Sequence, residues 1–184
     1  MRRKKPARMR PAPSGVPIAS EPVEHFAGLR RVRYFSGQVL SEDDFRDEQQ
    51  YWMEMHRRHN RLLHGWGVVA GLGLTVSSQD TVTVGPGLAL DPLGREVCVS
   101  VPMTVRVKTD NIPQLVTASY RERETDPVPT AGESGTLQAS RVEEGAAVSL
   151  VKRAEAGSVA IGRIVRSARG WRIDRAFRPR RMRR

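Results

Sequence analysis

The sequence predicts a mainly β (α+β) domain: one long helix followed by a sandwich or partly closed barrel of about eight or nine short strands, with basic tails expected to be disordered. Three observations carry this. A sustained helical period occurs only over residues 42–64. Downstream, apolar residues alternate with period two, in short runs cut by glycine, proline and polar turns. No helical stretch separates those runs, so the crossovers of a doubly wound parallel sheet are missing.

The helix has its own start and stop signals. Ser41 reads as the N-cap, and Asp44 three residues on completes a capping box, with Asp where Glu or Gln is usual. Leu40 and Phe45 occupy the staple positions. Glu42, Asp43, Asp44, Asp47 and Glu48 crowd the first turns, whereas Arg57, Arg58 and Arg61 stand near the end, which complements the macrodipole. Gly65 fits the position just past the last turn. A helix over 42–64 would be about 34 Å long at the usual rise per residue. One face carries Phe45, Trp52, Met55, His59 and Leu62, interrupted by Glu48. Such a stripe either packs on the chain's own sheet or forms a short seam with another helix, and two heptads do not decide between them.

The glycine-rich run 65–76 invites comparison with a phosphate cradle. Nucleotide-binding glycines follow a strand and open a helix, however, and these follow a helix and enter a strand. They are expected to allow a tight exit, close backbone approach or bulges. Residues 72–76 and 81–84 flank the polar turn 77–80 as a hairpin. Residues 88–90 and 95–99 flank Asp91-Pro92-Leu93-Gly94, a type I turn signature. Val97, Val99, Val101, Met103, Val105 and Val107 then alternate without a miss, although Pro102 requires an edge or a break. Residues 115–120, 146–151, 159–165 and 171–173 read as further strands, and 121–140 as a long polar loop.

The blocks 35–52 (FSGQVLSEDDFRDEQQYW), 57–76 (RRHNRLLHGWGVVAGLGLTV) and 82–99 (VTVGPGLALDPLGREVCV) resemble a poorly characterised family. That family is associated with contractile phage tails and phage-tail-like (extracellular) contractile injection systems. The resemblance continues in 120–129, 140–145 and 171–180, and spans residues 34–180. It implies a structural, non-enzymatic subunit of a tail, baseplate or fibre-like appendage. Its partners would be copies of itself and other tail or baseplate proteins. It implies assembly in the cytoplasm, then incorporation into the particle. It carries no catalytic residue, cofactor or metal to this chain.

Composition bounds the alternatives. The net charge is +11, but residues 1–10 and 175–184 each hold six basic residues and no acidic one. The remainder has 19 basic and 20 acidic residues and is close to neutral. The expected organisation is a basic, proline-rich arm and connector over 1–33, a lead-in and helix over 34–64, a β domain over 65–176 and a basic tail over 177–184. Six cations in a tail would contact polyanions with a salt slope of about −5. With Phe177 the one aromatic in either window, such contact would be non-specific, so a nucleic-acid-associated β domain is the alternative reading. The basic start lacks the apolar core of a signal peptide, and no run of apolar residues is long enough to span a membrane.

Candidate chemistry is sparse. His56, His59 and His64 stand at i, i+3 and i+8. At 100° per residue His59 falls about 60° to one side of His56 and His64 about 80° to the other, so a straight helix cannot converge them on a metal. Arg57 and Arg58 between them would repel a cation. Cys98 is the single cysteine and has no local base or cationic setting. Asp91 and Glu96 read as turn and surface residues. The residues expected to make contacts are Phe45, Trp52, Met55, Arg57, Arg58, His59, Arg61 and Leu62.

Overall fold

The computed structural model describes residues 28–77, 80–107, 113–131 and 135–182. The arm expected over 1–33 therefore lies outside the described residues as far as position 27.

Ser41 caps helix α1, Glu42–His59, through the predicted box: its hydroxyl accepts from the Asp44 N–H at 3.3 Å, and the Asp44 carboxylate accepts from the Ser41 N–H at 2.8 Å. The last predicted turn, Asn60–His64, is π-helical rather than α-helical, and Gly65 closes it with φ 75° and an N–H donated to the Asn60 carbonyl.

Ten strands follow among the described residues: β1 Gly67–Gly71, β2 Leu74–Val76, β3 Thr81–Val84, β4 Gly87–Leu90, β5 Glu96–Val99, β6 Met103–Arg106, β7 Gln114–Pro129, β8 Leu137–Val151, β9 Ser158–Ser167 and β10 Gly170–Ile173. They form three antiparallel sheets ordered β1-β4-β5, β2-β3-β6 and β10-β9-β7-β8.

The first two sheets share continuous chain. β1 and β2, β3 and β4, and β5 and β6 each leave one sheet and enter the other at a corner. Bends of this kind let a strand serve two packed sheets. The corners explain the glycines. Leu72 donates to the Pro86 carbonyl at 3.0 Å and Gly85 to the Gly73 carbonyl at 2.8 Å, and a Cβ on Gly71 or Gly87 would overlap the facing backbone. The expected bulge also occurs, between Val68 and Ala70. The third corner falls at Ser100–Pro102. The proline breaks the run as expected, but it also turns Val101 outward, where unbroken alternation would have pointed it in.

The interior is built from small and branched residues. Val82, Val84, Ala89, Val97, Val116, Ala118, Val159 and Ile164 are fully buried, and Val68, Leu72, Val99, Val107, Tyr120, Ile161 and Trp171 complete one cluster that draws on all three sheets.

Two expectations are corrected. Residues 121–140 are not a loop. β7 and β8 continue past the core as a paired ribbon from Arg121↔Gly145 to Pro129↔Leu137, fastened by the Arg123–Glu143 ion pair at 2.6 Å. Its residues are mostly exposed on both faces, so the apolar alternation that marks a half-buried strand is absent. Nor is residue 177 the start of a free tail. Within the described residues the chain to Met182 runs beside β1: Val68 donates to the Arg180 carbonyl at 2.8 Å, Met182 donates to the Val68 carbonyl at 3.0 Å, and Arg181 bridges Val68 in parallel. The Arg180 guanidinium sits 4.4 Å from the centre of the Trp66 ring.

Candidate functional site

The helix is attached to the domain by polar contacts. Asp91 organises the β4–β5 turn: fully buried, it accepts from the N–H groups of Leu93 and Arg95 at 2.8 and 2.9 Å and from the Arg95 guanidinium at 2.7 Å. That arrangement leaves the Leu93 and Gly94 carbonyls facing outward, in need of donors. The helix supplies them. Asn60 Nδ2 donates to Gly94 at 2.9 Å and Arg61 Nη1 donates to Leu93 at 2.9 Å. His56 meets Glu96 at 3.1 Å, and Arg57 lies 3.4 Å from Glu54 and 3.7 Å from Glu122. Gly94 is necessary at this contact: its φ is 82°, and a Cβ would overlap the Arg57 carbonyl oxygen.

The apolar stripe consequently faces away. Phe45 is 51% exposed, Trp52 61%, Met55 40% and Leu62 70%, and α1 has no buried residue at all. Packing of this stripe on the chain's own sheet, one of the two alternatives, is therefore excluded. Within the helical stretch the buried residue is Asn60, in the π turn. Arg58 and His59 lie on the exposed side. Arg57 and Arg61, expected to be free for partners, are instead engaged in holding the helix down. Sequence reasoning missed Asn60, whose one signal was a polar residue set in an otherwise charged and apolar helix end.

The histidines also differ from expectation. The π turn adds a residue to the helical repeat, so His59 and His64 come to one side with their Nε2 atoms 3.1 Å apart. His56 stays apart, bonded to Glu96. Among the described residues no group of three or more His, Cys, Asp or Glu side chains is arranged to hold a metal ion.

Local electrostatics follow from these bonds. The Ser41 N–H and hydroxyl hold the Asp44 carboxyl below the usual carboxylate range. The Glu48 carboxylate, which accepts from the Tyr34 hydroxyl at 2.7 Å, raises that phenol above its ordinary value. Burial, with hydrogen bonds to Glu122 and Glu144, pushes the Tyr120 phenol far higher, so it acts as a permanent donor. Between α1 and the ribbon lies an open cleft of about 1050 Å³, with Glu42, Arg46, Gln49 and Met53 on one wall and Glu122, Glu124 and Glu144 on the other. Cys98 is exposed on β5.

Fold and surface together define a mainly β domain carrying an outward-facing helix on a polar mount. Among solved structures, the fold is similar to a chain of the baseplate complex from the type VI secretion system, with a TM-score of 0.57 at 17% identity over 83% of this chain and 60% of that one. It is also similar to the crystal structure of TssK, with a TM-score of 0.55 at 15% identity over 83% of this chain and 42% of that one. A chain of the TssK-TssF-TssG baseplate subcomplex gives a TM-score of 0.57 at 16% identity over 83% and 62%. This chain thus spans less than two thirds of the length of each, and the likeness is one of fold. No protein-family model matches the sequence. No curated protein matches it.

Proposed function

We propose that this protein is a non-enzymatic structural subunit of a contractile, phage-tail-like injection particle, placed in or near its baseplate. The observation that carries this is the outward stripe of Phe45, Trp52, Met55 and Leu62 on a helix held by polar bonds, a surface suited to contact with another protein. Two further observations support it. The fold is shared with components of a type VI secretion baseplate, itself part of a contractile phage-tail-like system. The blocks 35–52, 57–76 and 82–99 resemble a tail-associated family. The polyanion-binding alternative loses part of its ground, because Arg180 stacks on Trp66 and its carbonyl is bonded to Val68.

The test is co-sedimentation. Sheathed particles are prepared from cells carrying wild-type protein or a Phe45→Ser, Trp52→Ser, Leu62→Ser variant, probed for this chain and imaged by negative stain. The wild type should travel with the particles and the variant should not. Particles that form and contract normally without the protein would overturn the proposal.

A further inference from the structure

We infer that the outer face of α1 pairs antiparallel with the same face of a second copy of this chain. The inference deepens the structural-subunit reading by naming one partner, and it rests on a symmetry in the seam.

Phe45, Trp52, Met55 and Leu62 are spaced 7, 3 and 7 residues apart, so the order of the stripe along the sequence is the same in both directions, and Leu62, although it lies in the π turn, is exposed like the other three. In heptad terms Phe45 and Trp52 occupy a positions, and Met55 and Leu62 occupy d positions. In an antiparallel pair a residues of one helix pack against d residues of the other. Centring the pair between Trp52 and Met55 sets Phe45 against Leu62 of the second copy, and Trp52 against Met55. The same operation acts on the two polar interruptions. Glu48, at d, meets His59, at a, so the seam's one carboxylate faces an imidazole. A parallel pair would set Glu48 against Glu48 and His59 against His59.

The charges outside the seam select the same direction. The first half of the helix holds Glu42, Asp43, Asp44 and Asp47 against the single Arg46, and the second half exposes Arg58, with Arg57 and Arg61 turned to the polar mount. Antiparallel alignment lays each acidic half along a basic one and opposes the two macrodipoles. His59 is exposed and Glu48 is half-buried beside Tyr34, and each keeps capacity for a partner. Glu48 is bonded to Tyr34 through one oxygen only, and an ionised carboxylate has further acceptor sites. His59 is exposed, with His64 as its neighbour.

A contact made by one helix of this length is smaller than a standard protein interface, so pairing of the free protein should be weak. Inside a particle, fixed neighbours raise the effective concentration and make such a contact sufficient.

The test is sedimentation of the full-length protein over a concentration series reaching hundreds of micromolar, with circular dichroism to confirm folding. The wild type should show a reversible monomer–dimer equilibrium. Trp52→Ser should remove it without changing the melt. Glu48→Lys and His59→Glu should each weaken pairing at least about tenfold, because the first replaces the carboxylate that accepts from the imidazole with a group that cannot accept, and the second sets two carboxylates face to face. An equimolar mixture of these two variants should pair again. In the mixed dimer the introduced ammonium of one chain faces the introduced carboxylate of the other, while the unaltered Glu48 and His59 face each other. A wild type that stays monomeric throughout the series overturns the inference, as does a mixture that fails to recover. If such a monomer still co-sediments with sheathed particles, the stripe contacts a different protein and the structural-subunit reading stands without self-pairing.

Discussion

Asn60 donates its side-chain N–H to the Gly94 carbonyl at 2.9 Å, and this bond joins the buried residue of the helical stretch to the turn between β4 and β5. It decides which way the helix faces. The turn presents carbonyls, carbonyls need donors, and the donors lie on the Asn60–Arg61 side. Asn60→Leu should leave the Gly94 carbonyl without its donor and cost about 1–3 kcal/mol. Gly94→Ala should cost more, roughly 2–4 kcal/mol, because the backbone stands at positive φ and the new Cβ overlaps the helix. Urea unfolding of both variants measures this.

Trp52→Ala should change the stability of the isolated protein by no more than about 0.5 kcal/mol, the usual range for exposed positions. A tryptophan packed in its own core would cost about 3–5 kcal/mol. Chemical denaturation separates these values, and a loss in the second range would show that the ring is covered.

Truncation after Ala176 should destabilise the domain. It removes the two backbone bonds to Val68 and the Arg180–Trp66 contact, a loss of about 2–3 kcal/mol at about 1 kcal/mol per bond. A melt unchanged from full length would show that the segment beside β1 adds nothing.

The capping box should make stability depend on acid. The Asp44 carboxyl lies below its ordinary value of 3.8 in the folded chain, so the unfolded chain binds its proton first as pH falls. The contribution is complete above the unfolded value and is lost as pH falls through the folded one. Ser41→Ala removes the hydroxyl's part of the shift and keeps the larger part, the backbone N–H at position 41, and its difference from wild type should shrink in acid. Asp174, lowered by the Ala176 N–H and by Arg163, should keep its own acid sensitivity in that variant. Thermal melts of both proteins from about pH 7 to about pH 2.5 span the window in which the carboxyls take up their protons and read the difference.

Replacing residues 123–143 with a tight two-residue turn should leave the core folded, because the ribbon beyond Tyr120 and Ala146 adds no residue to the buried cluster. An unchanged near-ultraviolet spectrum and melting midpoint are the expected result. A cooperative loss of structure would show that the ribbon is part of the folding unit.

Much of this protein was legible in the order of its residues. The capping box, the Asp91–Gly94 turn, the first hairpin and the break at Pro102 all follow from local rules, in which a side chain acts on backbone within a few residues of itself. Gly71, in the run 65–76, announced close backbone approach, although Gly87 and the strand that faces it could be known only after folding. Tertiary structure decided what depends on remote partners. The ribbon was illegible because its two strands satisfy each other's backbone with no buried face to impose alternation. The C-terminal stretch reads as a charged tail until Val68 is seen to bond it. The π turn that joins His59 to His64 has no local signature, since its register is set where Asn60 meets Gly94, 34 residues away. The same bond turned the apolar stripe outward. Periodicity located that face of the helix, but only the polar mount determined that it would meet something other than its own core.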